Sequence, residues 1–253
     1  MYLQEEDRRK TGLSSFAIRI VGFIVLAVTV VNKLHIHSGL MWIDYFTWLC
    51  YPIFAFLLAE GFEQTTSKFR YFIRLVIFAL LSEVPYDLLT SGKVFDMSQQ
   101  NGLFTLCFAF LAMCAIHFVY NKTYNLIITM ASIYVYGWGA YYVTKLLNCE
   151  SYSFGVMIVI FFYISNHVSY PKLLQLAFLG MMTFYLTSNA YISFIIGYMQ
   201  YTIPYRALAV PAFILTWFYK GKRGPNSIGL QICMYAFYPV LLLAVWLVGK
   251  YLI

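Results

Sequence analysis

Charged residues are scarce in this 253-residue chain: Asp, Glu, Lys and Arg make up 11% of it, whereas hydrophobic residues make up 62%. A water-soluble domain usually has about 25% charged and about 45–50% apolar residues, so the composition excludes a soluble enzyme. The mean hydropathy of +0.72 instead predicts an integral membrane protein. If each spanning helix takes about 20 residues, the chain has room for about nine helices and short loops. We therefore expect a single transmembrane helical domain over residues 1–253.

Paired cysteines and metal-binding motifs are also missing. The five cysteines form no CxxC motif and no His/Cys spacing typical of a metal site, so we expect buried apolar thiols and no metal. The net charge of +7 does not indicate a nucleic-acid partner, because the basic residues lie in short loops between apolar runs. The first apolar run ends without a small-residue cleavage site, so we expect no cleaved signal peptide.

Apolar runs divide the chain into predicted spans at 16–36, 40–62, 69–90, 102–120, 125–147, 152–169, 173–188 and 228–249. The stretch 190–219 is ambiguous, because Pro204 and Arg206 interrupt it. If it crosses the membrane once, with a short or re-entrant piece, the chain is an all-α polytopic bundle of about nine helices; two crossings give ten. Nine crossings put the most basic loops on the side of the N-terminus. We therefore expect a multi-pass protein of the cell (inner, cytoplasmic) membrane with a cytoplasmic N-terminus.

Ionisable residues inside apolar runs are costly in a bilayer and indicate a functional interior. The predicted helix at 69–90 carries two such pairs: Arg70 and Arg74, four residues apart and so on one face, and Glu83 and Asp87 near its other end. Pro85 lies between the two acids and is expected to kink the helix. A helix that serves only for packing has no need of ionisable residues near both of its ends.

Other embedded ionisable residues have structural alternatives. The set is Arg19, His35, Asp44, Glu60, His117 and His167. Arg19 and Asp44 are equally consistent with a membrane interface, where a long side chain extends to water. His117 and His167 lie near helix ends, where a structural hydrogen bond is the simpler interpretation.

Three segments resemble the N-terminal signature of the TraX family, which is named for the F-type pilin N-acetylation protein. They are residues 52–62, residues 70–75, and Ser82-Glu83-Val84-Pro85-Tyr86-Asp87. Later segments resemble further family blocks in the same order, at 100–106, 150–156, 219–224 and 237–240. The resemblance implies a polytopic membrane acyltransferase, distantly similar to the broader transmembrane acyltransferase superfamily, with acetyl-CoA or another acyl-CoA as donor substrate.

The chain departs from the family pattern at three polar sites. The Asp-His pair of the family aligns with Leu34 and His35, or with Asn32 and Lys33 if the aspartate is matched first. The family Gly-Arg before Pro52 is Thr47-Trp48, and the histidine after Phe-Tyr-Pro-Val is Leu241. These departures favour an alternative, a catalytically degenerate relative that acts as a partner-binding, assembly or immunity component. A small transporter is a third interpretation.

The resemblance and the predicted topology together suggest a mechanism. We expect Arg70 and Arg74 to bind the phosphates of acyl-CoA, with Lys222 and Arg223 in the basic loop on the same side. His35 is the predicted general base. Glu83 or Asp87 would orient its imidazole, and Asn101 would donate a hydrogen bond to the carbonyl. Further buried polar residues expected near this cluster or in the bundle are Asp44, Glu60 and Glu150.

The predicted partners follow from the same scheme. They are the lipid bilayer, acyl-CoA, and an extracytoplasmic acceptor with an amine or hydroxyl group, such as a peptide N-terminus or a glycan. A membrane protein partner or a second copy of the chain is also consistent with the sequence.

Overall fold

The structure is a computed structural model that describes residues 12–35, 41–150, 152–168, 170–184, 191–196, 199–204, 209–222, 224–225 and 227–252. The helices in the first half are α1 (Ser15–Asn32), followed by a 3₁₀ turn (Lys33–His35), α2 (Met41–Gln64), α3 (Lys68–Thr90) and α4 (Gly102–Thr123). The second half has α5 (Leu126–Leu146), α6 (Tyr152–Ser165), α7 (Pro171–Phe184), β1 (Tyr191–Ile196), β2 (Met199–Pro204), α8 (Val210–Trp217) and α9 (Ile228–Leu252).

The predicted helical membrane fold is confirmed. Among the described residues, four helices are long and apolar enough to cross a membrane: Ser15–Asn32, Gly102–Thr123, Leu126–Leu146, and Gly229–Tyr251 within α9. Helices α2 and α3, with 24 and 23 residues, also exceed the roughly 20 residues that a span requires, although they contain more charged residues. The total of nine spans stays a prediction.

The stretch 190–219 differs from the expected span. Residues 191–204 contain an antiparallel pair of strands, in which Tyr191 pairs with Pro204 and Ile196 with Met199. Helix α8 has eight residues, about 12 Å at 1.5 Å per residue, and is too short for a hydrocarbon core of about 30 Å. The β-branched and aromatic residues of both strands favour this geometry. In the sequence, Gly197 is a turn signal between two short apolar runs, and the prediction of a span overlooked it.

The core of the bundle lies where α2, α4 and α6 meet. Fully buried Phe62, Phe110 and Phe162 come from these three helices, and the rings of Phe62 and Phe110 meet edge to face at 5.3 Å. Lipid tails are as apolar as these side chains, so close packing rather than expulsion of water holds such helices together. Helices α1, α3 and α9 pack beside this core and meet around buried Val30, Tyr86 and Leu242.

Gly155 allows α6 to approach α2 at Tyr51. A Cβ atom on Gly155 would lie 2.5 Å from Tyr51 Cε1, well inside the optimal carbon–carbon separation of about 3.5–4.0 Å. The Tyr51 hydroxyl donates to the Gly102 carbonyl oxygen at 3.1 Å, so the ring cannot move away without losing this bond. We expect Gly155→Ala to lower the free energy of unfolding by about 1–3 kcal/mol, measured by denaturation in detergent.

Gly139→Ala is the matched control. Gly139 lies in α5, and a Cβ atom there would meet nothing within 4 Å. Alanine is the better helix former by up to about 1 kcal/mol, so this variant should be unchanged or slightly more stable. Equal destabilisation by both substitutions would contradict the role assigned to the Tyr51 contact.

Candidate functional site

A cavity of about 290 Å³ lies between α1, α2, α3 and α9. Apolar side chains form the middle of its wall, among them Phe23, Phe54, Leu57, Phe78 and Met234. Polar groups collect at two ends. We call them the Arg19 end, with Arg19, Tyr71, Arg74, Gln231 and Tyr235, and the Glu150 end, with Thr29, Cys50, Tyr51, Glu150 and Tyr238. Arg19 and Thr29 are ten residues apart on α1, so the two ends are about 15 Å apart.

Two guanidinium groups face the Arg19 end. Arg74 Nη1 donates to Gln231 Oε1 at 3.2 Å, and Arg19 Nη1 donates to Met234 Sδ at 3.6 Å, a weak acceptor. Neither arginine pairs with a carboxylate in the described part of the chain. Each guanidinium has five N–H donors, so these contacts leave donors for an anion. The two positive charges in this largely apolar wall also favour the binding of an anion.

The other predicted phosphate-binding residues lie elsewhere. Arg70 is one helical turn before Arg74. Both side chains are exposed, but of the two only Arg74 lies in the cavity wall that the structure describes. Lys222 is also exposed, and its carbonyl oxygen accepts a hydrogen bond from the backbone of Ser15 at 2.8 Å. Arg223 lies outside the described residues. Arg19, and not Arg70, thus lines the described cavity wall together with Arg74.

An ion pair lies at the Glu150 end. Lys33 Nζ is 2.9 Å from Glu150 Oε1 and 4.4 Å from the ring centroid of Tyr86. The backbone of Glu150 is fixed on both sides, because its N–H donates to the Gln100 carbonyl at 2.9 Å and its carbonyl accepts from Thr105 Oγ1 at 2.6 Å. The carboxylate of Glu150 is thus held in the cavity wall. No role for Lys33 was predicted from the sequence.

Cys149 precedes Glu150 in the same loop and is buried. Burial raises the pKa of its thiol to about 11. The thiol is therefore neutral near pH 7 and a poor nucleophile, which argues against an acyl-cysteine intermediate at this position.

Glu83 and Asn101 form a buried pair beside the cavity. The backbone N–H of Asn101 donates to Glu83 Oε2 at 3.3 Å, and its side-chain amide donates to the same oxygen and to the Ala79 carbonyl at 2.9 Å. Asn101 Oδ1 accepts from the backbone of Leu103 at 3.0 Å and caps α4. The other oxygen of Glu83 is buried without a hydrogen-bond partner among the described residues. The predicted oxyanion role of Asn101 would require one of its hydrogen bonds to open.

Asp87 holds a loop rather than facing the cavity that the structure describes. Its Oδ2 accepts from the backbone of Asp96 at 2.8 Å, which folds residues 91–100 over the end of α3. The backbone N–H of Ser98 holds the pKa of Asp96 below its ordinary value. The loop is thus closed by two carboxylates that accept backbone hydrogen bonds.

The remaining predicted residues are placed as follows. His35 ends the 3₁₀ turn, two residues after Lys33; its side chain and that of Asp44 lie outside the described residues. Glu60 Oε1 accepts from the Tyr219 hydroxyl at 2.5 Å and from Gln64 Nε2, so it anchors a cavity-lining amide. His117 Nδ1 lies 3.1 Å from the Tyr163 hydroxyl oxygen, in agreement with a structural role.

Comparisons with known proteins cover nearly the whole chain. The family profile described as "TraX protein" matches residues 14–249, which include both ends of the cavity. A protein of Dichelobacter nodosus named "Probable fimbrial assembly protein FimC, serogroup H1" is 24% identical over 254 residues, which cover 92% of this chain and 94% of that protein. No solved structure gives a significant match.

Proposed function

The chain belongs to the TraX family, and from this premise we propose that it is a membrane-embedded acyltransferase that uses acyl-CoA. The observation that carries the proposal is the cavity. It combines two guanidinium groups at one end with a carboxylate at the other, and its wall between them is apolar. An acyl-CoA has matching parts in the same order. Its diphosphate would bind the guanidinium groups, its flexible arm would lie along the apolar wall, and its thioester would reach the carboxylate.

The dimensions of the cavity fit the arm of the donor. Small-molecule sites usually have about 300–1,000 Å³, and the 290 Å³ of this cavity suits a narrow, flexible chain such as the pantetheine arm. The arm has roughly a dozen bonds, and an extended chain advances about 3.3–3.6 Å per three bonds, which gives about 14 Å. A diphosphate at the Arg19 end would therefore put the thioester near Glu150. The nucleotide would remain outside this cavity.

The transfer itself needs one proton acceptor. The acceptor nitrogen or oxygen attacks the thioester carbonyl carbon, its proton passes to a base, and the carbon–sulfur bond breaks to release the CoA thiolate, which takes up a proton. Two residues at the Glu150 end are candidates for this base. They are His35, predicted from the sequence, and Glu150, which lines the cavity.

We propose that the donor enters from the cytoplasm of a cell with this protein in its inner membrane, and that the acceptor is extracytoplasmic. The name of the Dichelobacter nodosus relative refers to fimbrial assembly. A subunit of a surface fibre, modified at a peptide amine or at a hydroxyl of an attached glycan, is therefore the acceptor class that we favour.

A non-catalytic assembly component is the second candidate. It is favoured by Trp48 and Leu241, which replace polar residues of the family pattern, and by the assembly role in the name of the relative. In this case a membrane protein partner or a second copy of the chain would replace the acceptor.

Labelled acetyl-CoA distinguishes the two candidates. The protein in liposomes, supplied with radiolabelled acetyl-CoA on the side of the Arg19 end and a peptide with a free N-terminus on the other, is expected to label the peptide. Calorimetry on the purified protein should show saturable binding of acetyl-CoA. Absence of binding, together with co-purification of a stoichiometric membrane partner, would support the assembly component and refute the acyltransferase.

A further inference from the structure

Glu150 is the one acidic side chain in the described part of the cavity wall. The acids that the sequence favoured are engaged elsewhere: Glu83 accepts hydrogen bonds from Asn101, and Asp87 holds the loop at Asp96. If a donor thioester reaches the Glu150 end, the carboxylate beside it is that of Glu150.

We propose that Glu150 is the general base of acyl transfer and that Lys33 is the residue that positions its carboxylate. The inference rests on the proposed acyltransferase function and names the group that accepts the proton. A carboxylate is a suitable base for such a transfer when it lies within hydrogen-bond reach of the acceptor.

The two oxygens of Glu150 have different surroundings. Oε1 is 2.9 Å from Lys33 Nζ, which fixes the orientation of the carboxylate. Oε2 lies beside Gly102, where an added Cβ atom would be in van der Waals contact with it at 3.4 Å. Both Glu150 and Gly102 line the cavity. Oε2 is not the oxygen paired with Lys33, and it is the one that we assign to the proton transfer.

Lys33 is the one described cation beside Glu150. The titratable groups that interact with it are a thiol and three phenols, which are neutral near pH 7: Cys50 and Tyr51 of α2, Tyr86 of α3 and Tyr238 of α9. Two carboxyl groups, Glu83 and Asp87, and the thiol of Cys149 act on Tyr86 at the same end.

In the proposed step, Oε2 removes the proton from the acceptor nitrogen or oxygen as this atom bonds to the thioester carbonyl carbon. The tetrahedral intermediate then expels the CoA thiolate as the carbon–sulfur bond breaks. The proton passes from Oε2 to the thiolate, so Glu150 returns to its carboxylate form without any further reactant.

Glu150→Gln tests the base. It keeps the shape of the side chain and an oxygen toward Lys33, but it cannot accept the proton. We expect the rate of labelled acetyl transfer to fall by about a hundredfold or more, while the affinity for acetyl-CoA, measured by calorimetry, stays within about threefold. An active Glu150→Gln enzyme would overturn the inference and leave the proposed function intact, whereas a parent protein that binds no acetyl-CoA would overturn the function itself.

His35→Ala is the parallel variant. If it abolishes transfer while Glu150→Gln remains active, the imidazole is the base and the inference is wrong. If Glu150→Gln is inactive and His35→Ala retains transfer, the inference holds.

Lys33→Met tests the positioning role through a split between kcat and KM. Without Lys33 the carboxylate of Glu150 is no longer held in one orientation, so kcat should fall about tenfold or more while the KM for acetyl-CoA changes little. Lys33→Arg should restore kcat. Lys93→Met is the control, because Lys93 forms an exposed ion pair with Asp96 at 3.6 Å away from the cavity. An unchanged kcat in Lys33→Met would show that the ion pair is only structural.

Discussion

Alanine in place of both Arg19 and Arg74 is expected to weaken the binding of acetyl-CoA by about a hundredfold or more. A hydrogen bond to a charged group contributes about 1.5–3 kcal/mol, and each 1.4 kcal/mol changes an affinity about tenfold. The two side chains line one end of the cavity. Their described hydrogen-bond acceptors are a weak sulfur acceptor and an amide, and Arg74 also lies over the rings of Tyr71 and Tyr235. The loss should appear in the dissociation constant from calorimetry and in KM. The value of kcat should change little, because these groups are remote from the reacting carbonyl.

Arg70→Ala is the matched control for this prediction. Arg70 is on the same helix, one turn before Arg74, and is exposed like Arg74. It lies outside the described cavity wall, so its loss should change the affinity by no more than about threefold. Acetyl-pantetheine, which lacks the diphosphate, should bind the parent and the double variant equally. If Arg70→Ala is as harmful as Arg74→Ala, the phosphates lie on the exposed face of α3 and the assignment of the cavity is wrong.

The helices were predictable because long apolar runs between short polar loops leave few alternatives in a membrane. The run predicted at 69–90, for example, corresponds to Lys68–Thr90, and the run at 102–120 to Gly102–Thr123. The strand pair at 191–196 and 199–204 was not predicted, since a short apolar run fits a strand as well as a helix. The local signals were Gly197 and the β-branched and aromatic residues on either side of it.

The cavity was harder to predict than the helices. In a soluble protein, the apolar face of a helix identifies the core, but here the lipid-facing and buried faces are both apolar. Nothing in the sequence therefore showed that Arg19 and Arg74, rather than Arg70 and Arg74, share one wall. The sequence predicted that Glu83 and Asn101 lie at the same membrane depth, and the two residues are in contact. The number of hydrogen bonds that Asn101 makes depends on the residue at which α4 begins, which the sequence does not define.

The ion pair of Lys33 and Glu150 joins residues 117 positions apart, in two loops at the same end of the bundle. The sequence placed both residues at one membrane depth. Depth alone does not select partners among the several charged residues there, so this contact required the three-dimensional structure.

Asn101→Ala is expected to be among the most destabilising single substitutions in the chain. It removes the cap of α4, which is typically worth about 1 kcal/mol, and the side-chain hydrogen bond to Glu83 Oε2. The backbone hydrogen bond to the same oxygen depends on the geometry that the cap holds. Glu83 is 8% exposed and its other oxygen already has no described partner. An unsatisfied buried polar group costs about 1–3 kcal/mol, and more if it is charged. We therefore expect the free energy of unfolding in detergent to fall by about 2–4 kcal/mol.

Asn125→Ala separates the two contributions, because Asn125 caps α5 in the same way but on the exposed surface. Its Oδ1 accepts from the backbones of Ile127 and Ile128 at 2.9 and 3.3 Å, so its loss should cost only the cap, about 1 kcal/mol. If Glu83 accounts for the difference, Glu83→Leu should make Asn101→Ala less costly, and the double-mutant cycle should give a coupling energy of about 1–3 kcal/mol. Equal costs for the two asparagine variants would mean that Asn101 serves only to begin a helix, and that the buried carboxyl group is stable without it.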